Sequence, residues 1–360
     1  MSTLPAERSG LDRLHQGFEV VQGLGSLQAL GDDLDRLTST CGASATAGRA
    51  WVFATVAASS DARPWAVIVR GADGGLTAAV FLVTIPGRAA DTVWLAGSLM
   101  GHRSPILAAD EDAAHRLGLG LMHALEARTR RAWIDLGPVD PSSGHLDAFL
   151  AAAPGISAFP VDPVPVVRRR GSSDVDDYLS PGMSRTLRKA RNRLRGDGRT
   201  SRMEATRLPD EILGRLPELD ACHRDRDHTQ GRLSDLDDPR NRRIWFARLR
   251  RLAAAGLLEL ATISIDDDLA AYVLGLVDRG VYRVLEGHLV TRYARYAPGR
   301  LLEAAVVDRA LKDPTLGTVD WMTSRAPDRL LCSNDLEPVV MLRLGMTAPR
   351  PADPRYEISG

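Results

Sequence analysis

The chain has 360 residues, 46 lysines and arginines balanced by 46 aspartates and glutamates, and 44% hydrophobic residues. That length suffices for roughly two domains with a core each, and the zero net charge excludes a global pull towards nucleic acid or a membrane surface. Three scattered cysteines (Cys41, Cys222, Cys332) without a Cys-x-x-Cys pair exclude a disulfide framework and a zinc knuckle. No basic-then-apolar leader and no apolar run near about 18 residues occurs, so a cytoplasmic protein with no membrane partner is expected. Only Lys189 and Lys312 are lysines, an arginine skew typical of GC-rich bacterial coding that weakens any reading from arginine density alone.

The first 45 or so residues are polar and helix-compatible. Residues 51–57 (WVFATVA), 64–71, 77–85 and 92–97 then read as strands, with the Asp-Gly of GADGG as a hairpin turn. Residues 110–128 read as a helix with acidic residues in its first turn, 132–139 as a strand and 143–153 as a helix. The second half repeats this order. A helix over 239–256 ends at Gly256, strands follow over 257–265, 269–278 and 281–290, a helix over 298–312, and strands over 318–325 and 337–345. Two copies of one α/β module are expected.

Between the copies, Met183, Leu187, Ala190 and Leu194 mark one face of a helix. Its other positions hold Arg185, Arg188, Lys189, Arg191, Arg193 and Arg195, with Arg199 and Arg202 beyond and Asp197 as the one acid. Such a local excess fits a platform for a polyanion, for which Arg185, Arg188, Lys189, Arg191 and Arg195 are the candidates. A solvated helix face is the alternative. In 292–301, Arg292, Arg295 and Arg300 surround Pro298-Gly299 where a helix begins. A helix start offers unpaired N–H groups and positive dipole density to an anion, so these five residues are donor-phosphate candidates. The polar stretch 221–235 reads as a substrate-covering loop with His223, Arg226 and His228 as its candidates, and irregular spacing argues against a metal there.

The helix YLSPGMSRTLRKARNRL, the run AAGLLELATI-DDDLAAYVLGL and the Tyr-Ala-Pro-Gly-Arg-Leu-Leu segment before a helix together resemble the CelD/BcsL-type acyltransferases of the GNAT superfamily, relatives of the FemABX aminoacyl transferases. The resemblance spans about residues 50–345 and rests on the order and spacing of its parts. It implies an α/β fold of tandem GNAT-like domains, each a mixed, mostly antiparallel sheet flanked by helices. The expected division is an N-terminal helical segment (1–45), a degenerate first domain (46–170), a basic connecting helix (171–205), a catalytic second domain (206–348) and a tail (349–360). The implied activity is transfer of an acyl or aminoacyl group, from acyl-CoA or aminoacyl-tRNA as co-substrate, to an amine of a small molecule such as a natural-product intermediate. No tightly bound cofactor is expected. The loop from Arg295 to Leu301 carries one glycine, Gly299, where typical GNAT pyrophosphate loops carry more; single-glycine loops occur in the branch that uses aminoacyl-tRNA.

In the implied fold, residues 281–290 form the fourth strand, which splays from the fifth to admit the donor. Glu286 and His288 are two apart and share a face, suiting a base and its orienter. Asp320 on the next strand and Tyr296 as an acid complete the catalytic candidates, with Tyr293 beside them. An exposed polar strand face and ordinary packing are the competing readings. His102 and Arg103 are acceptor-binding candidates in the first half. A non-catalytic RNA-binding or regulatory protein on the same scaffold is the alternative function, weakened by an aromatic content of only 5%.

Overall fold

A computed structural model describes residues 17–57, 62–87, 90–98, 103–127, 132–142, 145–322 and 330–344. Its strands are β1 (Glu19–Gln22), β2 (Arg63–Arg70), β3 (Leu76–Ile85), β4 (Asp91–Leu95), β5 (Leu107–Ala108), β6 (Ala132–Val139), β7 (Ile156–Arg168), β8 (Ser201–Thr206), β9 (Leu258–Ile265), β10 (Asp268–Asp278), β11 (Val281–Leu289), β12 (Thr318–Asp320) and β13 (Asp335–Leu344). All join one sheet in the order β1-β2-β3-β4-β6-β13-β7-β12-β11-β10-β9-β8, with β5 paired to β3.

That order contains the same module twice. In the first half β1 to β4 form an antiparallel ladder and β6 joins β4 in parallel. In the second, β8 to β11 form the antiparallel ladder and β12 joins β11 in parallel. A helix makes each parallel crossover: Glu111–Glu126 between β4 and β6, and Pro298–Lys312 between β11 and β12. The halves exchange their closing strands, because β13 pairs antiparallel with β6 and β7 pairs antiparallel with β12. β7 and β13 pair with each other at the centre, making the sheet continuous.

Burial explains why these segments take these forms. Every residue of β9 is buried and nearly every residue of β10, since helices cover both faces, so these strands read as apolar runs without alternation. The β9–β10 hairpin turns on Asp266 and Asp267, at φ 51° and 67°. Two consecutive left-handed residues are what a two-residue hairpin requires, and aspartate tolerates them better than most side chains.

β11 is irregular where it matters. Leu274 of β10 stands opposite Glu286 and Gly275 opposite Val284, so Leu285 is the extra residue of a bulge. Gly275 lies against the fully buried Tyr282, and a Cβ there would overlap the phenol ring. Gly275→Ala is expected to cost about 1–3 kcal/mol through overpacking, read as a lowered Tm in a thermal melt.

Three expectations are corrected. Residues 51–57 form the helix Arg49–Ala57, not a strand. The segment is buried on several sides at once, Trp51 against the second half and Val52, Phe53 and Val56 against the first, so it lacks the polar stripe that distinguishes a helix. Residues 221–229 are not loop but the last part of the helix Pro209–Thr229, where side chains of alternating charge pair with neighbours instead of facing water alone. β7 was missed because Pro160, Pro163 and Pro165 argue against a central strand. It tolerates them because β12 engages only residues 166–168 of it.

Candidate functional site

β11 and two helices converge on Glu286. Glu286 and His288 point to the face of the sheet covered by the helices Pro209–Thr229 and Pro239–Ala254, which contribute His223 and Trp245. Tyr272 on β10 lies opposite His288. Its hydroxyl donates to Glu286 Oε1 at 2.8 Å, and Trp245 Nε1 reaches Oε1 at 3.0 Å and Oε2 at 3.1 Å. His223 Nδ1 lies 3.7 Å from Glu286 Oε1 and 3.3 Å from the Tyr272 hydroxyl. The His223 and His288 rings stack with centroids 3.8 Å apart at 26°. The side chains of His223 and Glu286 keep 15% and 17% of their exposure, so the cluster is enclosed but not sealed.

The electrostatics separate the roles of these groups. Burial would raise the Glu286 carboxyl, but hydrogen bonding from His223 and the nearby charge of His288 and His223 outweigh it and hold the group at about 2. Burial, reinforced by the Glu286 charge, pushes the Tyr272 phenol well above its ordinary value, so it stays a neutral donor. Burial likewise raises the Cys222 thiol to about 12. Arg248, buried with its guanidinium 5.2 Å over the Trp51 ring, is lowered to about 10 by desolvation, offset in part by Glu286.

A stability consequence follows. The Glu286 carboxyl titrates at about 2 when folded against an ordinary 4.5. A depressed carboxyl stabilises the fold above its unfolded value, and the contribution disappears as pH falls through the folded one. Wild type is therefore expected to lose on the order of 3 kcal/mol between about pH 4.5 and 2 that Glu286→Gln does not lose, measured by denaturant melts across that range.

The other candidates divide between places. Asp320 does not join Glu286. It is 2% exposed and held by Arg103 at 2.5 Å and Arg283 at 3.7 Å, while Arg103 also holds Glu337 at 2.5 Å. That network ties Arg103 of the first half to β11, β12 and β13. His102 lies outside the described residues. Tyr296 is also apart from Glu286: its hydroxyl donates to Asp197 at 2.7 Å, and its ring packs in the core around the helix Pro298–Lys312. Tyr293 donates to Asp268. His228 is exposed and sits 2.9 Å from both Asp237 oxygens, and Arg226 is exposed, so of the three substrate-loop candidates His223 alone reaches the cluster.

Thr291 N–H donates to Asp225 at 2.6 Å, tying the helix of His223 to the start of the 291–297 segment. The helix Pro298–Lys312 then opens with Ala297 in the left-handed region, no side-chain cap and no acid in its first turn. A Cβ on Gly299 would stand in ordinary van der Waals contact with Leu289 Cδ2 at 3.6 Å. The equivalent helix of the first half is closed, since Asp110 accepts from Ala113 N–H and Glu111 and Asp112 occupy its first turn. Arg292 pairs with Asp268 at 2.9 Å, Arg295 with Asp197 at 2.8 Å and Arg300 with Glu303 at 2.7 Å. Arg292 and Arg295 are exposed, and exposed pairs of this kind are worth little, so an arriving phosphate can redirect either side chain.

The basic helix Pro181–Gly196 buries Leu187, Ala190 and Leu194 and packs beside this helix start. Arg193 Nη1 donates to the Arg295 carbonyl at 2.8 Å, joining the two surfaces. Arg185, Arg188, Lys189, Arg191 and Arg195 are exposed and, among the described residues, pair with no carboxylate. Most other arginines of the second half do pair, so this stripe is set apart.

Sequence reasoning missed Trp245, Tyr272 and Arg248, because each reads as part of an amphipathic or apolar run. The one signal for Tyr272 was a hydroxyl inside an apolar strand, LAAYVLGL.

Comparison with known proteins agrees with the topology. The model of the acetyltransferase (GNAT) domain family matches residues 182–328. FemX is similar in structure at a TM-score of 0.54 with 11% identity, covering 81% of this chain and 86% of its own. A Bacteroides thetaiotaomicron protein of unknown function matches at 0.54 and 12%, over 87% of this chain and 97% of its own. The C-terminal domain of a lysylphosphatidylglycerol synthetase from Agrobacterium fabrum matches at 0.50 and 13%, over 88% of this chain and 92% of its own. At such identities the likeness is one of fold. No curated protein sequence matches the chain. No described helix is long and apolar enough to cross a membrane. Residues 182–328 are thus a GNAT-type acyltransferase domain, carried on a sheet in which the GNAT-like module occurs twice.

Proposed function

We propose that the protein is an N-acyltransferase that moves an aminoacyl group from aminoacyl-tRNA to the amine of a small molecule, with the second half catalytic. The observation that carries this reading is the placement of an ionised, four-sided Glu286 cluster at a strand bulge just before an uncapped helix start. Attack by an amine requires its neutral form, so a proton must be taken up near the acyl carbon. Glu286 orients His223 and stabilises the imidazolium formed when a ring accepts that proton. Tyr272 and Trp245 hold Glu286 in place.

The donor's terminal phosphates would lie at Gly299 and Arg300, where the positive end of the helix dipole meets them. The stripe from Arg185 to Arg195 would follow the nucleic-acid backbone away from the site. Five cations without carboxylate partners are more than a nucleotide cofactor needs, which favours aminoacyl-tRNA over acyl-CoA. A non-catalytic RNA-binding protein would use the same stripe but has no use for Glu286. The test is transfer from labelled aminoacyl-tRNA, and separately from acetyl-CoA, to a panel of amines. Loss of transfer in Glu286→Gln with tRNA binding retained supports the enzyme, and tRNA binding without transfer to any amine supports the binder.

A further inference from the structure

We propose that His223, Glu286 and His288 form a binding site for one divalent first-row transition metal ion, of which zinc is the natural candidate. One ligand atom from each residue lies within 4.8 Å of the other two, on a helix and a strand that pack firmly together. Two imidazoles and a carboxylate are the donor set of mononuclear catalytic zinc and of non-haem iron, and three protein ligands leave a coordination position for water or substrate. The two rings stack with centroids 3.8 Å apart at 26°, so ligation of one ion by both requires one ring to rotate out of the stack.

The surroundings are those of a metal site too. Ligating carboxylates are normally held by outer hydrogen bonds, and Tyr272 and Trp245 supply them to Glu286. The cluster borders the apolar core through Trp245 and Tyr272, which bond Glu286, and Leu274, which stands opposite it on β10. No cysteine is among the three ligands, so the donor set has no thiolate and does not favour copper(I). Irregular spacing along the chain argued against a metal in 221–235; the fold supplies the missing ligands from β11, more than fifty residues on.

This inference does not depend on acyl transfer, but it alters how such transfer would run. With an ion bound, the lone pairs of His223 and His288 would be engaged in holding it, and the ion would supply at its open position a water acidified to about 7 to serve as the base in place of an imidazole.

The test is calorimetric titration of zinc chloride into the full-length protein after chelator dialysis, repeated with cobalt(II) while following visible absorption. One equivalent is expected to bind, with cobalt(II) developing ligand-field bands of low-symmetry coordination. His288→Gln and Glu286→Gln should each weaken binding about 100-fold and Tyr272→Phe about 10-fold, each variant first checked for an unchanged far-UV spectrum. His228→Ala, which removes an exposed imidazole on the same helix, should leave the affinity unchanged. Absence of stoichiometric binding in folded wild type overturns the site, as does binding that survives His288→Gln and Glu286→Gln. Transfer at full rate in chelator-treated protein that binds no zinc would remove the metal and leave the acyltransferase reading intact. Zinc binding with no transfer from any donor would do the reverse.

Discussion

Glu286→Gln is expected to lower the rate of transfer by about 10²–10⁴-fold, the span that positioned acid–base groups contribute, while leaving the binding of donor nearly unchanged. Glutamine keeps the shape and an accepting oxygen for Tyr272 or Trp245. It loses the charge that faces His223 Nδ1 at 3.7 Å. A carboxamide must also turn an N–H₂ group towards one of those donors, so a modest fall in Tm accompanies the loss. The informative readout is the split between kcat and the donor's KM. A fall in kcat alone marks a group used in the transition state, whereas a rise in KM alone would mean that Glu286 only shapes the donor pocket.

The second large effect concerns the basic helix. Replacing Arg185, Arg188, Arg191 and Arg195 together by alanine is expected to reduce the slope of log affinity against log salt for tRNA by about 1 per lost phosphate contact, or about 3–4 in all. These side chains point away from the core formed by Leu187, Ala190 and Leu194, so the helix itself should remain folded. Alanine also has the highest helix propensity, which works in the same direction. Binding of acetyl-CoA, whose phosphates would reach only the start of the helix Pro298–Lys312, should respond far less. An equal loss for both ligands would place the donor's charge on one shared point and remove the case for a nucleic acid.

The repeated architecture was legible in the chain because each module is marked by several independent signals. The strand–strand–strand–helix–strand order, the Asp-Gly and Asp-Asp turns and the Pro298 helix start each have a local physical cause, and they agree. The exchange of β7 and β13 between the halves was not legible, because a strand's partners are set by tertiary packing and not by its own residues. The same holds for the site. Glu286 and His288 could be paired from the period of a strand, since neighbours two apart share a face. His223 could not be placed with them, because its segment, rich in Asp, Arg and His, resembles loop until its charges are seen to be paired along a helix. Asp320 and Tyr296 went the other way. Each has the chemistry of a catalytic residue, yet the fold spends Asp320 on Arg103 and Arg283 and Tyr296 on Asp197.

The most direct measurement is a single-turnover assay with tRNA carrying a radiolabelled amino acid, in which label passing to an acid-stable amide is followed in the presence of an amine panel. Wild type is expected to move label from tRNA to an amine, and Glu286→Gln is expected to bind the tRNA equally well and move none. Label that stays on the tRNA with every amine, together with no transfer from acetyl-CoA, would contradict the assignment of the Glu286 cluster to acyl transfer.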